Sequence, residues 1–271
     1  MAMKTVMTMN VNVEGFRERR DNKRRVAVAV QLIEAAAKAK IDCLCFPAGY
    51  LIAKNLRDIP RLDSPIIRRA KQLKISFIIG IDTQAINNPR ITGADSPAML
   101  RLVKEGNVPC FLSSYSAERG TLELYQQRTC THYQAENRMA PASAMAERHL
   151  MHLGENSFQI ILCGEIYDNR MLGEDAPKAG VVFGHTTMSR LSRTLRLKSR
   201  RGFSLINTEH RTGRGGMIFS FDNGYDMSVY SRPVKIADAD GLWIDAVVWT
   251  LDGRGFWGAN LNPENLKIYE K

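Results

Sequence analysis

Cys163 is the residue whose neighbours best equip it for chemistry. It closes the apolar run from Phe158 to Leu162 and is followed at once by Gly164. This pattern predicts a strand that ends in a sharp turn. Such an elbow presents sulfur at the strand's carboxyl end and near a helix N-terminus, where the thiolate is favoured. The competing reading is a cysteine buried in a core strand. Two further segments hold residues of interest. Phe46-Pro47-Ala48-Gly49-Tyr50 breaks a second apolar run, and Leu124-Tyr125-Gln126-Gln127-Arg128 closes a third. In a strand Gln127 and Arg128 would face opposite ways, so the arginine does not stand in for its neighbour.

The remaining cysteines are Cys43, Cys45, Cys110 and Cys130. Cys43 and Cys45 share one face of a short strand and read as two small buried apolar residues. A metal site needs two more ligands at a recognisable spacing, and none stands out, so neither metal nor cofactor is expected. Five cysteines behind a start that makes a poor secretory signal predict reduced thiols and a cytoplasmic protein. No apolar run reaches the length of about 18 residues that a membrane helix needs.

These residues need elements to hold them. Strands are predicted at 4–13, 41–46, 75–81, 99–104, 109–113, 122–128, 158–163, 180–184, 203–207, 244–251 and 255–258. Helices are predicted at 22–39, at 64–73 behind the start signal Ser64-Pro65, near 168–177 and at 187–199. Asp222-Asn223-Gly224 predicts a hairpin between 217–221 and 226–233. Strand–helix–strand units at both ends, with hairpins between them, indicate one layered α/β domain with mixed sheets. The composition of the 271 residues agrees with a globular chain, at 44% hydrophobic and 24% charged.

Charge is the unusual quantity. Thirty-eight Lys and Arg against 28 Asp and Glu give +10. Residues 187–214 carry eight basic residues against the single acid Glu209, a local +7. On a helix Arg193, Arg196 and Arg200 share one face, which reads as a solvated surface or as a patch that binds anions, an acidic ligand or an acidic partner. A nucleic-acid surface is the less favoured reading, because no stacking aromatics interleave the arginines.

The order of these segments resembles the nitrilase (carbon–nitrogen hydrolase) superfamily over roughly residues 3 to 250. The resemblance is carried by Asp21-Asn22 at a helix start, Phe46-Pro47, Leu162-Cys163-Gly164-Glu165-Ile166-Tyr167-Asp168, Val182-Phe183-Gly184-His185-Thr186 and the turn at 222–224. It implies an α-β-β-α sandwich of two mixed sheets flanked by helices, a homodimer, and a small amide or nitrile as substrate. It also implies a Glu–Lys–Cys triad, of which only Cys163 is present: Ala48 stands at the Glu position and Gln127 at the Lys position. On the same resemblance Glu136 is the candidate acid–base group, with His132 and His185 as further possibilities. Gln127 and backbone N–H groups near Gly164 would be the oxyanion donors. Glu165 would hold the elbow, and Glu165, His185 and Tyr50 would border the substrate. Loss of a general base costs about 10²–10⁴ in rate, and loss of an oxyanion donor about 10²–10³. The expected activity is therefore a divergent hydrolase with little ordinary amidase turnover. The alternatives are a catalytically inactive module that binds a small molecule or a protein, and a basic nucleic-acid-associated protein.

Overall fold

The computed structural model describes residues 3–12, 21–83, 96–130, 134–135, 137, 139–185, 191–211, 220–226, 234–239 and 242–258. Strands β1 (Lys4–Asn12), β2 (Cys43–Cys45), β3 (Leu51–Ala53), β4 (Ser76–Thr83), β5 (Cys110–Ser116) and β6 (Thr121–Gln126) belong to one sheet. Strands β7 (His149–Leu153), β8 (Asn156–Leu162), β9 (Ala179–Phe183), β10 (Ser204–Arg211), β11 (Ser220–Asp222) and β12 (Tyr225–Asp226) form the other. Strands β13 (Val234–Ala239), β14 (Leu242–Asp252) and β15 (Gly255–Gly258) extend the first sheet, with β14 antiparallel to β1 from Lys4 to Val11. The sheets join at one end, where Asn10–Asn12 of β1 pair in parallel with Glu209–Arg211 of β10.

Side-chain alternation explains the layers. In β2, Leu44 faces the helices while Cys43 and Cys45 face the opposite sheet. In β4, Phe77, Ile79 and Ile81 face outward and Ile78 inward. In β8 and β9, Ile160, Leu162, Val181 and Phe183 face inward, and Ile161 and Val182 face out. Strands buried on both faces read as continuous apolar runs, as observed. Helices α1 (Asn22–Lys38) and α2 (Ile59–Leu73) cover the first sheet. The helix over Leu191–Ser199 and short 3-10 turns cover the second. The result is a sandwich of two mixed sheets between helical layers, as the sequence predicts. No helix of the described residues is long and apolar enough to cross a membrane.

Several elements differ from expectation. Helix α2 begins at Ile59, with Pro60 in its first turn and Pro65 inside it. Ser64-Pro65 is thus not a start, because the true start at Asp58 already sets the helix in motion. Residues 99–104 are not a strand but part of helix α3 (Pro97–Lys104). The Ser96 side chain accepts a hydrogen bond from the Met99 N–H at 3.2 Å, Pro97 fills the first turn, and Met99 and Val103 are buried four residues apart. The apolar run there follows a helical period that a strand reading overlooks. Strands β3, β7 and β13 lie outside the predicted strands. In place of a helix at 168–177 the chain makes one 3-10 turn, Asn169–Leu172, directly after another at Cys163–Tyr167. In chain order, the helix at Ala142–Ala146 is α4 and that at Leu191–Ser199 is α5. Of the hairpin around Asp222, the pairing of Phe221 and Asp222 with Asp226 and Tyr225 is described, and the flanking segments lie outside the described residues.

Candidate active site

One end of the sandwich gathers the polar and sulfur-bearing groups. The carboxyl ends of β4, β6, β8 and β9 meet the start of β5 and the turn after β2 there, the usual place for sites in α/β sheets. Strand β8 stops at Leu162, one residue earlier than predicted, and leaves Cys163 in the turn with a φ of 28°. A non-glycine residue in that region is strained by about 1–3 kcal/mol, a cost that clusters at functional turns. Gly164 permits the turn. A Cβ there would stand 2.2 Å from the carbonyl carbon and oxygen of Cys130. Gly164→Ala should therefore destabilise the fold by about 1–3 kcal/mol through overpacking, measured by urea denaturation.

The turn is held from beneath by a buried ion pair. The Arg128 Nε donates to Glu165 at 2.8 Å, and its second guanidinium nitrogen reaches the other carboxylate oxygen at 3.3 Å. The backbone N–H groups of Arg128 and Leu162 also donate to this carboxylate, at 2.9 and 3.2 Å. Glu165 is fully buried and Arg128 is 10% exposed. The remaining guanidinium nitrogen donates to the carbonyls of Ala144 and Glu147, which ties α4 to the elbow. Glu165 thus faces the elbow and Arg128 with its oxygens engaged.

A second group converges from three elements. Asp82 of β4 lies directly opposite Cys110 of β5 in the ladder. His185, two residues beyond β9, places Nε2 3.0 Å from an Asp82 oxygen. One ligand-type atom from each of Asp82, Cys110 and His185 lies within 4.8 Å of both others. Gly49 borders this group with a φ of 66°, and a Cβ on it would come within 2.6 Å of Asp82 Oδ2 and 3.2 Å of the His185 ring. Burial opposes a charge on His185, yet Asp82 and Cys110 outweigh it and hold its pKa well above the ordinary range. Burial, with Asp82 beside it, pushes the Cys110 thiol up to about 11. Burial, with Cys110 and Cys163 nearby, also raises Cys130. Cys163 therefore lies within electrostatic reach of both thiols.

Comparison with known proteins bears on the fold. No family model and no curated protein matches the chain. Among solved structures, an amidase from Nesterenkonia sp. superposes with a TM-score of 0.56 at 11% identity, covering 90% of each chain. A mutant of that amidase, described as from the nitrilase superfamily, gives 0.55 at 11% identity over 89% of this chain and 90% of its own. Another mutant, in complex with butyramide, gives 0.55 at 12% identity over 90% of each. The fold is that of nitrilase-superfamily amidases.

Within this nitrilase-like frame the predicted residues fall as follows. Ala48 is buried between the sheets, in the core that Ile78 and Leu162 also enter. Gln127 is buried just past β6; its backbone N–H donates to the Cys110 carbonyl at 2.9 Å and its side-chain amide to the Thr129 carbonyl at 2.8 Å. Tyr50 is turned away into the helix-side core, where its hydroxyl donates to the Arg25 carbonyl. His185 joins Asp82 and Cys110. Glu136 and His132 lie outside the described residues. Cys43 and Cys45 are buried between the sheets, as expected of small apolar residues. On α5, Leu195 is buried, while Arg193 and Arg196 are exposed; Arg200, exposed as well, lies one residue past the helix's end. Arg196 donates to the Gly224 carbonyl at 3.3 Å, and the Arg200 stem lies against Gly224. A cleft of about 700 Å³ runs between β6 and β7, bordered by Tyr125, Arg128 and His149; Cys163 does not line it.

The sequence reading missed Asp82 and Cys110. They are 28 residues apart and His185 is a further 75 along, so no local spacing connects them. Only the antiparallel register of β4 with β5 brings the first two together.

Proposed function

We propose that this chain is a divergent carbon–nitrogen hydrolase-like protein whose Cys163 thiol attacks the carbonyl carbon of a small amide. The observation that carries this reading is the left-handed backbone of Cys163 at the end of β8, locked by Gly164 and by the Glu165–Arg128 pair. The butyramide complex of a structural neighbour supports the ligand class. In the reaction, sulfur bonds to the carbonyl carbon, and the tetrahedral intermediate collapses to a thioester as ammonia leaves with an added proton. Water then cleaves the thioester and returns the thiol. Ala48 offers no proton to the leaving nitrogen, and Gln127 offers a hydrogen bond to the oxyanion without a charge. Turnover is therefore low, by about 10⁴–10⁷ if the two losses multiply and by less where the groups act as a unit.

An acceptor that needs no protonated leaving group separates attack from turnover. Acrylamide adds sulfur at its β-carbon, as at the active-site cysteine of a structural neighbour. One acrylamide per chain on Cys163, absent from Cys163→Ser, is the expected result by intact mass and peptide mapping. Labelling of other cysteines with Cys163 untouched would remove Cys163 as nucleophile. It would leave the second reading, a binding module with the same depleted site, which Ala48 and Gln127 favour and which ligand-dependent thermal stabilisation detects. The reading also includes a homodimer. It includes Arg193, Arg196 and Arg200 as an anion-facing surface rather than a nucleic-acid site.

A further inference from the structure

We propose that Asp82, Cys110 and His185 form a binding site for one divalent cation of the zinc type, with one coordination position left over for water or a ligand. The proposal concerns binding and holds whether or not Cys163 turns over amides.

Geometry separates this reading from a thiol–imidazole–carboxylate relay. In a relay the imidazole stands between its partners, with a hydrogen bond of about 3 Å on either side. Sulfur and carboxylate oxygen are then separated by two such bonds and the width of the ring. Here the sulfur and the oxygen lie within 4.8 Å of each other as well as of the histidine nitrogen. The three atoms converge on one point instead of lining up. Zinc–ligand bonds of about 2.0–2.3 Å in a tetrahedron put ligand atoms roughly 3.3–3.8 Å apart. The 3.0 Å between His185 and Asp82, and separations of the sulfur that do not exceed 4.8 Å, are compatible with that range.

The donor set agrees. One thiolate, one imidazole and one carboxylate make a borderline set that suits zinc better than magnesium or calcium, which prefer all-oxygen shells. Three protein ligands with an open position are the pattern of reactive rather than closed structural sites. Charge also balances: a thiolate and a carboxylate neutralise a doubly charged ion in a place where an unpaired charge is costly. Asp82 and Cys110 are fixed opposite each other on adjacent strands, so two of the three ligands are preorganised by backbone hydrogen bonds. Gly49 leaves beside them the space that any side chain would fill.

The test uses the full chain, freed of metal with a chelator and titrated with cobalt(II). The expected result is one equivalent bound, with the strong visible absorption of a tetrahedral ion and a thiolate-to-cobalt charge-transfer band, both removed by one equivalent of zinc. Cys110→Ser should abolish the charge-transfer band. Asp82→Asn and His185→Ala should each weaken binding at least about tenfold. Cys43→Ser with Cys45→Ser, and Cys163→Ala, should leave the single equivalent in place. The last variant separates this site from the nucleophile. Wild-type protein that shows no charge-transfer band overturns the proposal, whatever the variants do. So does a band that survives Cys110→Ser in a folded protein.

Discussion

Ala48→Glu combined with Gln127→Lys should convert the chain into a measurable amidase. Butyramide hydrolysis is expected to rise by about 10³-fold or more over the wild-type chain, somewhat less than the roughly 10⁴ that a proton-transfer group and a cation would supply independently, because such groups act as a unit. The two substitutions belong together for a physical reason. Position 48 is buried between the sheets, where a lone carboxylate would be desolvated without a counter-charge. Ala48→Glu alone should therefore lose several kcal/mol of stability and gain little activity. Gln127 is buried too, so Gln127→Lys alone suffers the same penalty with opposite sign. Together they place a carboxylate and an ammonium at the same end of the sandwich, where each offsets the other's charge. Thermal melts would show partial recovery in the double variant, and ammonia release would show the activity. A folded double variant that still reacts with acrylamide at Cys163 but releases no ammonia would show that the site lost more than two side chains. It would favour the binding-module reading.

What could be read from the sequence follows from the range of each interaction. The core strands were legible because burial on both faces leaves a nearly continuous apolar run, broken only by Ser76 and Gly80 at 75–81 and by Gln159 at 158–163. The elbow was legible because Cys163-Gly164 follows such a run directly. Helix α3 was not, since its apolar residues are dense enough to suit a strand, and the deciding signal lay in Ser96 and Pro97 just ahead of it. Strand β7 was missed because two histidines interrupt its alternation, although Met151 and Leu153 face the inter-sheet core. Tyr50 shows the opposite limit. Its place near Phe46-Pro47 suggested the site, but its ring packs against Phe46 with centroids 5.0 Å apart, on the far side of the sheet. The Asp82–Cys110–His185 group depends on strand register and on a chain separation of more than 100 residues, which no local pattern encodes.

Arg128→Met is expected to be the most damaging single substitution in the elbow. The side chain is 10% exposed and its fork satisfies a carboxylate that is fully buried. Its removal leaves Glu165 charged and without its partner, which costs about 3–5 kcal/mol, against a typical total of about 5–15 kcal/mol. The Ala144 carbonyl on α4 and the Glu147 carbonyl just past it also lose their donor. Chemical denaturation should report this loss, and acrylamide labelling of Cys163 should slow in the same variant. Arg128→Lys should recover only part, because an ammonium cannot bridge two carboxylate oxygens and two carbonyls at once. The informative partner is Arg128→Met with Glu165→Gln. The amide removes the stranded charge but keeps an acceptor for only one of the two backbone N–H groups, because Arg128 and Leu162 donate to different carboxylate oxygens, so part of the stability should return. Labelling should return with it if neutral hydrogen bonds suffice to hold Cys163 in its left-handed turn. If stability returns and labelling does not, the charged pair itself sets the conformation of Cys163. A loss below 1 kcal/mol in Arg128→Met would mean instead that the pair behaves like an exposed bridge, and that Gly164 packed on Cys130 holds the elbow alone.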